Sequence, residues 1–90
     1  MTCDVELTPT AEDDLDGLDA AVADRVIEKL RWLAENADTV RIEALSGRWR
    51  GVCKLRVGDY RVIYTRDLAA RRIVVHFVRH RSGVYKADWT

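Results

Sequence analysis

The chain has 90 residues, of which 48% are hydrophobic and 33% are charged; these are the proportions of a soluble globular protein and not of a disordered segment. Ninety residues are enough for one hydrophobic core but not for two, so we expect a single domain over residues 1–90. No uncharged run approaches the length of a membrane span. Asp4 and Glu6 fall where a signal peptide would need its apolar segment, which favours a cytoplasmic protein.

The two cysteines, Cys3 and Cys53, are far apart in the sequence and both lie in β-like runs. We interpret them as reduced residues in or near the core of a cytosolic protein. The two cysteines and two histidines show no spacing typical of metal ligands, so we expect no metal site and no cofactor.

The net charge of zero hides a division along the chain. Residues 1–45 hold 12 acidic and 4 basic residues, a net charge of −8, whereas residues 46–90 hold 3 acidic and 11 basic residues, a net charge of +8. This asymmetry indicates either an anionic partner for the second half or acidic helices that neutralise a basic sheet within the fold.

The first elements are a strand and a short helix. Residues 3–8 alternate apolar and polar side chains, which predicts a strand that ends before Pro9. Thr10 and Asp13 have the spacing of a capping box, so we expect a short helix to begin there and to end at about Asp16.

A longer helix follows from Ala20 to Ala37, with Asp19 as its N-cap. Its apolar residues recur every three or four positions and predict a stripe that faces the core. Trp32 lies beside this stripe, at its rim or at a partner surface. The predicted stripe consists of Val22, Val26, Ile27, Leu30, Leu33, Ala34 and Ala37.

The second half of the chain is dominated by strands. Residues 40–49 are predicted to be an extended connection, and Gly58-Asp59 has the composition of a tight hairpin turn. The pattern of IVVHFV indicates a strand buried on both faces, and thus a central one. Residues 80–85 should then leave the sheet. We place the three strands at residues 52–57, 60–66 and 72–78.

The predicted order is β-α-α-β-β-β, an α+β fold in which a helical hairpin covers one face of a mostly antiparallel sheet. Lys54 and Arg56 are two residues apart and point to the same side of their strand, away from Leu55 and Val57. The uncovered face should therefore carry these two cations. The run RHRSGVY at residues 79–85 supplies the second half of the cationic set. Arg61 and Arg81 should complete that set.

A cluster of cations suits a phosphodiester, because arginine binds phosphate oxygens bidentately and stabilises charge that develops on phosphorus. RNA carries its own nucleophile, the 2′-hydroxyl, so the protein need only orient it and move protons. A lysine among arginines loses its proton more easily, and could then serve as the base. The basic half contains neither a glycine-rich phosphate loop nor a pair of carboxylates.

Four segments resemble the RelE/ParE superfamily of type II toxin–antitoxin toxins. They are LSG at Leu45–Gly47, CKLRVGDYRVIY at Cys53–Tyr64, IVVHFVRHR at Ile73–Arg81 and VY at Val84-Tyr85. The resemblance to the RelE branch implies a RelE-like fold and an mRNA interferase that cleaves mRNA in the ribosomal A site. Its products would be a 2′,3′-cyclic phosphate and a 5′-hydroxyl.

The resemblance also implies roles for individual residues. The second basic residue of the pair at positions 54 and 56 is more usually lysine, but here it is Arg56. Because arginine is effectively never deprotonated, Lys54 would be the general base. Arg56 and Arg61 would hold the scissile phosphate, and Arg81 would stabilise the transition state or protonate the leaving oxygen. Tyr85 would stack on a nucleotide. The remaining substrate-binding candidates are Arg48, Arg50 and His80, and His80 is also an option for acid–base work.

Two other functions fit the same resemblance. One is that of the ParE branch, which inhibits DNA gyrase, although the basic set counts against it. The other is a catalytically inactive module that binds an antitoxin or RNA. Both toxin functions, mRNA cleavage and gyrase inhibition, imply a cognate antitoxin that binds tightly. Its acidic segment would complement the basic half of this chain. The ribosome and mRNA are the expected targets, and DNA would be contacted only through the antitoxin.

Overall fold

The computed structural model describes residues 3–37, 43–44 and 52–83. The elements are β1 (Asp4–Leu7), α1 (Pro9–Asp16), α2 (Ala20–Asn36), β2 (Glu43–Ala44), β3 (Cys53–Val57), β4 (Tyr60–Asp67) and β5 (Arg72–His80). The strands form one sheet in the order β1-β5-β4-β3-β2. β1 is parallel to β5 and the other pairs are antiparallel, which confirms the predicted α+β architecture.

Two features of the sheet differ from the prediction. Glu43–Ala44, expected in an extended connection, pairs with β3 as a two-residue strand. β5 continues to His80, and β4 to Asp67, because these residues pair along a longer β4–β5 ladder than alternation alone suggested. β5 lies between β1 and β4, as a strand with apolar residues on both faces requires.

The N-cap of the first helix lies two residues earlier than predicted. Thr8 is its N-cap, since the Thr8 hydroxyl accepts a hydrogen bond from the Ala11 amide at 3.2 Å, and Pro9 occupies the first turn. The proposed capping box at Thr10 and Asp13 is therefore wrong. Proline suits the first helical position because the N–H that it lacks would have no partner there.

The second helix agrees closely with its prediction. Asp19 is the N-cap and Ala37 is the C-cap. Arg66 of β4 donates from Nη1 to the Ala37 carbonyl at 2.7 Å, which gives the negative end of the helix a cation as well as a donor. The predicted stripe is narrower in the structure, because Ile27 is 45% exposed.

One hydrophobic core lies between the two helices and one face of the sheet. The helices contribute Ala11, Leu15, Val26, Leu30, Leu33 and Ala37, and the strands contribute Cys53, Val57, Val62, Tyr64, Ile73, Val75 and Val78. Both cysteines are free and buried in this core, in agreement with their interpretation from the sequence. Within the described residues, neither helix is long and apolar enough to cross a bilayer.

Helix α1 closes the edge of β5 beyond the end of β1. β1 stops at Leu7, opposite Val75. Asp14 of α1 then accepts hydrogen bonds through Oδ2 from the Val78 amide at 3.0 Å and from Arg79 Nε at 2.9 Å. The Asp14 carboxylate thus accepts a hydrogen bond from the edge of β5 at a point where β1 no longer pairs with it.

Candidate functional site

The three cations predicted on β3 and β4 share one face of the sheet. Arg56 lies directly opposite Arg61 in the β3–β4 ladder, and Lys54 lies two positions along on the same side. The alternate β3 residues, Cys53, Leu55 and Val57, contact the helix-covered core instead. We call the side that bears Lys54, Arg56 and Arg61 the basic face.

The hairpin turn orients one of these cations. Gly58 has φ +59°, a left-handed conformation that glycine adopts without steric cost. Arg61 donates from Nη1 to the carbonyls of Gly58 and Tyr60, each at 3.0 Å. These two hydrogen bonds hold the Arg61 guanidinium against the turn, at the hairpin end of the basic face.

Arg81 is attached to the same turn, although it follows β5. Its backbone amide donates to the Asp59 carbonyl at 2.8 Å, and its Nε lies 3.9 Å from Asp59 Oδ1. The two side chains are 65% and 71% exposed, so solvent screens this ion pair and a phosphate could replace it easily. The fold thus brings Arg81 to the end of the sheet where Arg56 and Arg61 lie.

The centre of the basic face is apolar. Ile63 and Phe77 are paired across β4 and β5 and are fully buried, although neither belongs to the helix-covered core. Alternation along β4 places Ile63 on the same side as Arg61, and the predicted burial of β5 on both faces agrees with the position of Phe77. A β-bulge follows this pair, because the register advances from Ile63–Phe77 to Tyr64–Val75 and passes over His76.

His76 is held within the sheet. Its Nε2 lies 3.0 Å from Thr65 Oγ1, and burial lowers the pKa of the imidazole below its ordinary value. A partly buried, hydrogen-bonded ring of this kind is a structural residue. Burial likewise raises the pKa of the Cys53 thiol, an effect that Arg66 partly offsets, so Cys53 is a poor nucleophile.

His80 was expected to leave the sheet and to bind substrate, but it is the last residue of β5. It lies opposite Tyr60, with the two rings edge to face and their centroids 5.5 Å apart. The Ser82 amide donates to His80 Nδ1 at 3.2 Å. The register places His80 on the side opposite Arg61 and Arg79, and the structure does not bring it to the basic face.

Arg79 belongs to the cationic run that the sequence grouped with the candidate site. In the structure its guanidinium binds Asp14 and lies 5.5 Å from the Phe77 ring, which makes it a structural partner of α1. Arg48, Arg50 and Tyr85 lie outside the described residues, and their roles stay predictions. Within the described ranges, no cluster of three histidine, cysteine or carboxylate residues is placed to hold a metal ion.

A group of residues on α2 was missed as a potential site. Arg25, Lys29 and Trp32 line an open cleft beside Arg56 and Gly58. From the sequence, Trp32 was expected at the rim of the core or at a partner surface, and Arg25 and Lys29 were assigned no role in a site. Arg25, Lys29 and Trp32 are spaced by four and three residues, which places all three on one face of a helix. This spacing could have indicated the group from the sequence.

A family model and several solved structures match this chain. The family model of the ParE toxin of the type II toxin–antitoxin system, parDE, matches residues 5–85. No curated protein sequence matches this chain.

Three solved structures share the fold. In the toxin–antitoxin complex RelBE2 from Mycobacterium tuberculosis, the matching chain is 28% identical, with a TM-score of 0.81 over 91% of this chain and 94% of that chain. The archaeal RelE–RelB complex from Pyrococcus horikoshii is 25% identical, with a TM-score of 0.73 over 90% and 97% of the two chains. A mutant of the E. coli toxin RelE in the free state is 23% identical, with a TM-score of 0.72 over 94% and 90%.

The family match extends over most of the chain and over both the helical hairpin and the basic face. The structural likeness extends over at least 90% of this chain in each of these three cases. The chain therefore belongs to the ParE toxin family of type II toxin–antitoxin systems, and with it to the RelE/ParE superfamily.

Proposed function

We propose that this toxin is an endoribonuclease that cleaves mRNA on the ribosome and so inhibits translation. The observation that carries the proposal is the convergence of cations at the hairpin end of the sheet. Lys54, Arg56 and Arg61 share the basic face, and Arg81 is attached to the turn at its end. Such a cluster suits a phosphodiester that becomes more negative in the transition state.

The basic face can supply each step of RNA cleavage by the neighbouring hydroxyl. Lys54 accepts the proton of the 2′-hydroxyl, whose oxygen attacks phosphorus. Arg56 and Arg61 bind the non-bridging oxygens and neutralise their growing charge. The bond from phosphorus to the 5′ oxygen breaks, which leaves a 2′,3′-cyclic phosphate and a 5′-hydroxyl. Arg81 donates a hydrogen bond to the leaving 5′ oxygen, which takes its proton from water.

The contacts of Arg61 and Arg81 support these roles. Arg61 is oriented by two carbonyls of the hairpin turn, so its position does not depend on bound RNA. Within the described part of the chain, the Arg81 side chain forms a long, exposed ion pair with Asp59. An incoming phosphate would exchange that pair for a stronger charge-assisted hydrogen bond.

A second candidate function is inhibition of DNA gyrase. The observation that favours it is the match to the family model described as the ParE toxin. In this case the basic face would bind a protein or DNA surface and would perform no chemistry. The ordered, turn-anchored set of cations favours the nuclease.

We also propose a cognate antitoxin as the partner of this toxin. The chains that resemble it in Mycobacterium tuberculosis and Pyrococcus horikoshii were crystallised as toxin–antitoxin complexes. The net charge of +8 on residues 46–90 suits an acidic antitoxin segment. Such a segment on the basic face would compete with RNA.

The test is primer extension on a reporter mRNA in a bacterial translation extract, with ribosomes present in one reaction and removed in another. Cleavage within codons only when ribosomes are present is the expected result. An intact message during normal translation would contradict the nuclease. Gyrase-dependent DNA breaks in a parallel supercoiling assay would then establish the second candidate.

A further inference from the structure

An open cleft of about 420 Å³ lies between α2 and the hairpin end of β3. Its walls carry three cations and one carboxylate, together with an indole ring. Because Arg56 lines this cleft and also belongs to the basic face, the two surfaces are continuous. The cleft is lined by Arg25, Glu28, Lys29, Trp32, Arg56, Val57 and Gly58.

The helical wall presents a cation and an aromatic ring together. Lys29 Nζ lies 4.4 Å from the centroid of the Trp32 ring, and Trp32 is 40% exposed. The neighbouring side of α2 contributes Leu30 and Leu33 to the core. Trp32 is therefore a large aromatic surface that the protein leaves in solvent and holds beside a positive charge.

The strand wall lies close to the guanidinium of Arg25. A Cβ atom on Gly58 would lie only 3.2 Å from Arg25 Nη2, so this guanidinium packs against the backbone of the turn. Arg25 thus spans the cleft toward the turn that also holds Arg61 and Arg81. A positively charged path leads from the candidate cleavage site, past Arg56, to α2.

We propose that this cleft binds a stretch of single-stranded RNA adjoining the nucleotides on the basic face. Arg25 and Lys29 contact backbone phosphates, and an unpaired base stacks on Trp32. An exposed ring beside cations is the usual platform for single-stranded nucleic acid, because every base offers a π-face. This inference rests on the proposed function, since it extends the same RNA path.

An acidic peptide is the other anion that could occupy the cleft. The continuity through Arg56 favours RNA, because one strand can then engage the basic face and the cleft together. The salt dependence of binding separates phosphate contacts from other effects. Each phosphate contact on a single strand contributes about 0.7 to the slope of log affinity against log salt concentration.

The test measures fluorescence anisotropy of a labelled single-stranded RNA of about 12 nucleotides, with 2′-O-methyl groups so that it cannot be cleaved. The full-length protein is titrated at salt concentrations from about 50 to 200 mM. The variants are Arg25→Gln, Lys29→Gln, their combination, and Trp32→Ala. Arg31→Gln is the matched control, because Arg31 lies on the same helix but lines a separate apolar groove.

The combined Arg25→Gln and Lys29→Gln variant should lower the salt slope by about 1.4, since two phosphate contacts are lost. Trp32→Ala should weaken binding by about tenfold without a change in slope, and Trp32→Phe should restore most of the affinity. Arg31→Gln should bind within about twofold of the wild type. Unchanged melting temperatures verify that each variant is folded.

Equal affinities and slopes for the cleft variants and the control would overturn the inference, and so would a wild type that does not bind this RNA. An acidic peptide whose binding depends on Arg25 and Lys29, with RNA binding unaffected, would also overturn it. The reporter cleavage assay is read separately. If the cleft variants cleave the reporter normally and bind RNA normally, the cleft inference fails and the proposed nuclease function stands.

Discussion

The two faces of the sheet come from the same strands but are stabilised in different ways. The helix-covered face is a continuous apolar core with contributions from both helices and four strands. In the described part of the chain, the basic face has a buried apolar pair, Ile63 and Phe77, beside Lys54, Arg56 and Arg61. Side-chain packing determines the first face, whereas backbone hydrogen bonds position the charges of the second.

This difference explains how a 90-residue chain can keep a concentrated positive charge. Like charges on neighbouring strands repel, and they would separate if only their side chains held them. Here the turn carbonyls bind Arg61, and the Asp59 carbonyl accepts the Arg81 amide. The core can thus supply the stability while the hairpin supplies the geometry, and mutations should separate the two contributions.

The largest expected effect is on the helix-covered face. Leu33 is 1% exposed in the core, so Leu33→Ala should lower the free energy of unfolding by about 2–5 kcal/mol through loss of burial and a residual cavity. Urea denaturation measures this change. Ile27→Ala, on the same helix but largely exposed, should cost less than about 1 kcal/mol. Equal losses for the two variants would contradict the observed core.

At the hairpin end of the basic face, Arg81→Ala should reduce ribosome-dependent reporter cleavage by about 10²-fold or more, because a donor to the transition state is lost. The melting temperature should barely change, since the Arg81–Asp59 pair is exposed. Arg72→Ala, at the opposite end of β5 and also exposed, is the control and should keep its activity. A fully active Arg81→Ala protein would remove Arg81 from the mechanism.

A smaller effect is expected where the two faces meet. The Asp14 side chain is 16% exposed and accepts from both the Val78 amide and Arg79. Asp14→Ala leaves both donors without this acceptor and should cost about 1–3 kcal/mol of stability. Asp13→Ala, an exposed neighbour, should be close to neutral. Amide hydrogen exchange at Val78 should also quicken in Asp14→Ala, and an unchanged rate there would count against the edge-capping role of Asp14.

The smallest expected effect is the pH dependence contributed by His76. Its pKa is lowered by burial in the folded state, whereas the unfolded chain keeps the ordinary value near 6.5. The unfolded state thus binds a proton more readily, so the contribution of His76 is complete above about pH 6.5 and is lost as the pH falls toward the folded pKa. His76→Gln should show a shallower loss of stability over that range in thermal melts. Parallel curves for the two proteins would show that His76 does not contribute.

Much of the fold could be predicted from local patterns. Alternation located the strands, the spacing of apolar residues located α2, and Gly58-Asp59 located the hairpin turn. The motif from Cys53 to Tyr64 indicated the superfamily to which the chain belongs. The predicted start of α1 was wrong, because Pro9 was interpreted as the end of the strand and not as the first residue of a helix capped by Thr8.

The candidate site could be predicted only in part. Lys54 and Arg56 lie as expected, since strand geometry alone places residues two apart on one face. The bulge at His76 is not visible in the residue pattern, because Phe77 and Val78 are apolar in any register. The structural role of Arg79 was also missed, since its partner Asp14 is 65 residues away along the chain.

The sequence by itself determined which side chains are apolar, which are cationic and where each strand and helix lies, because these depend on spacing over a few residues. Only the tertiary structure decided which distant groups meet. It placed α1 against the edge of β5, attached Arg81 to the hairpin turn and brought Arg25 across the cleft to Gly58. Such contacts depend on how whole elements pack, and no local pattern of residues encodes that packing.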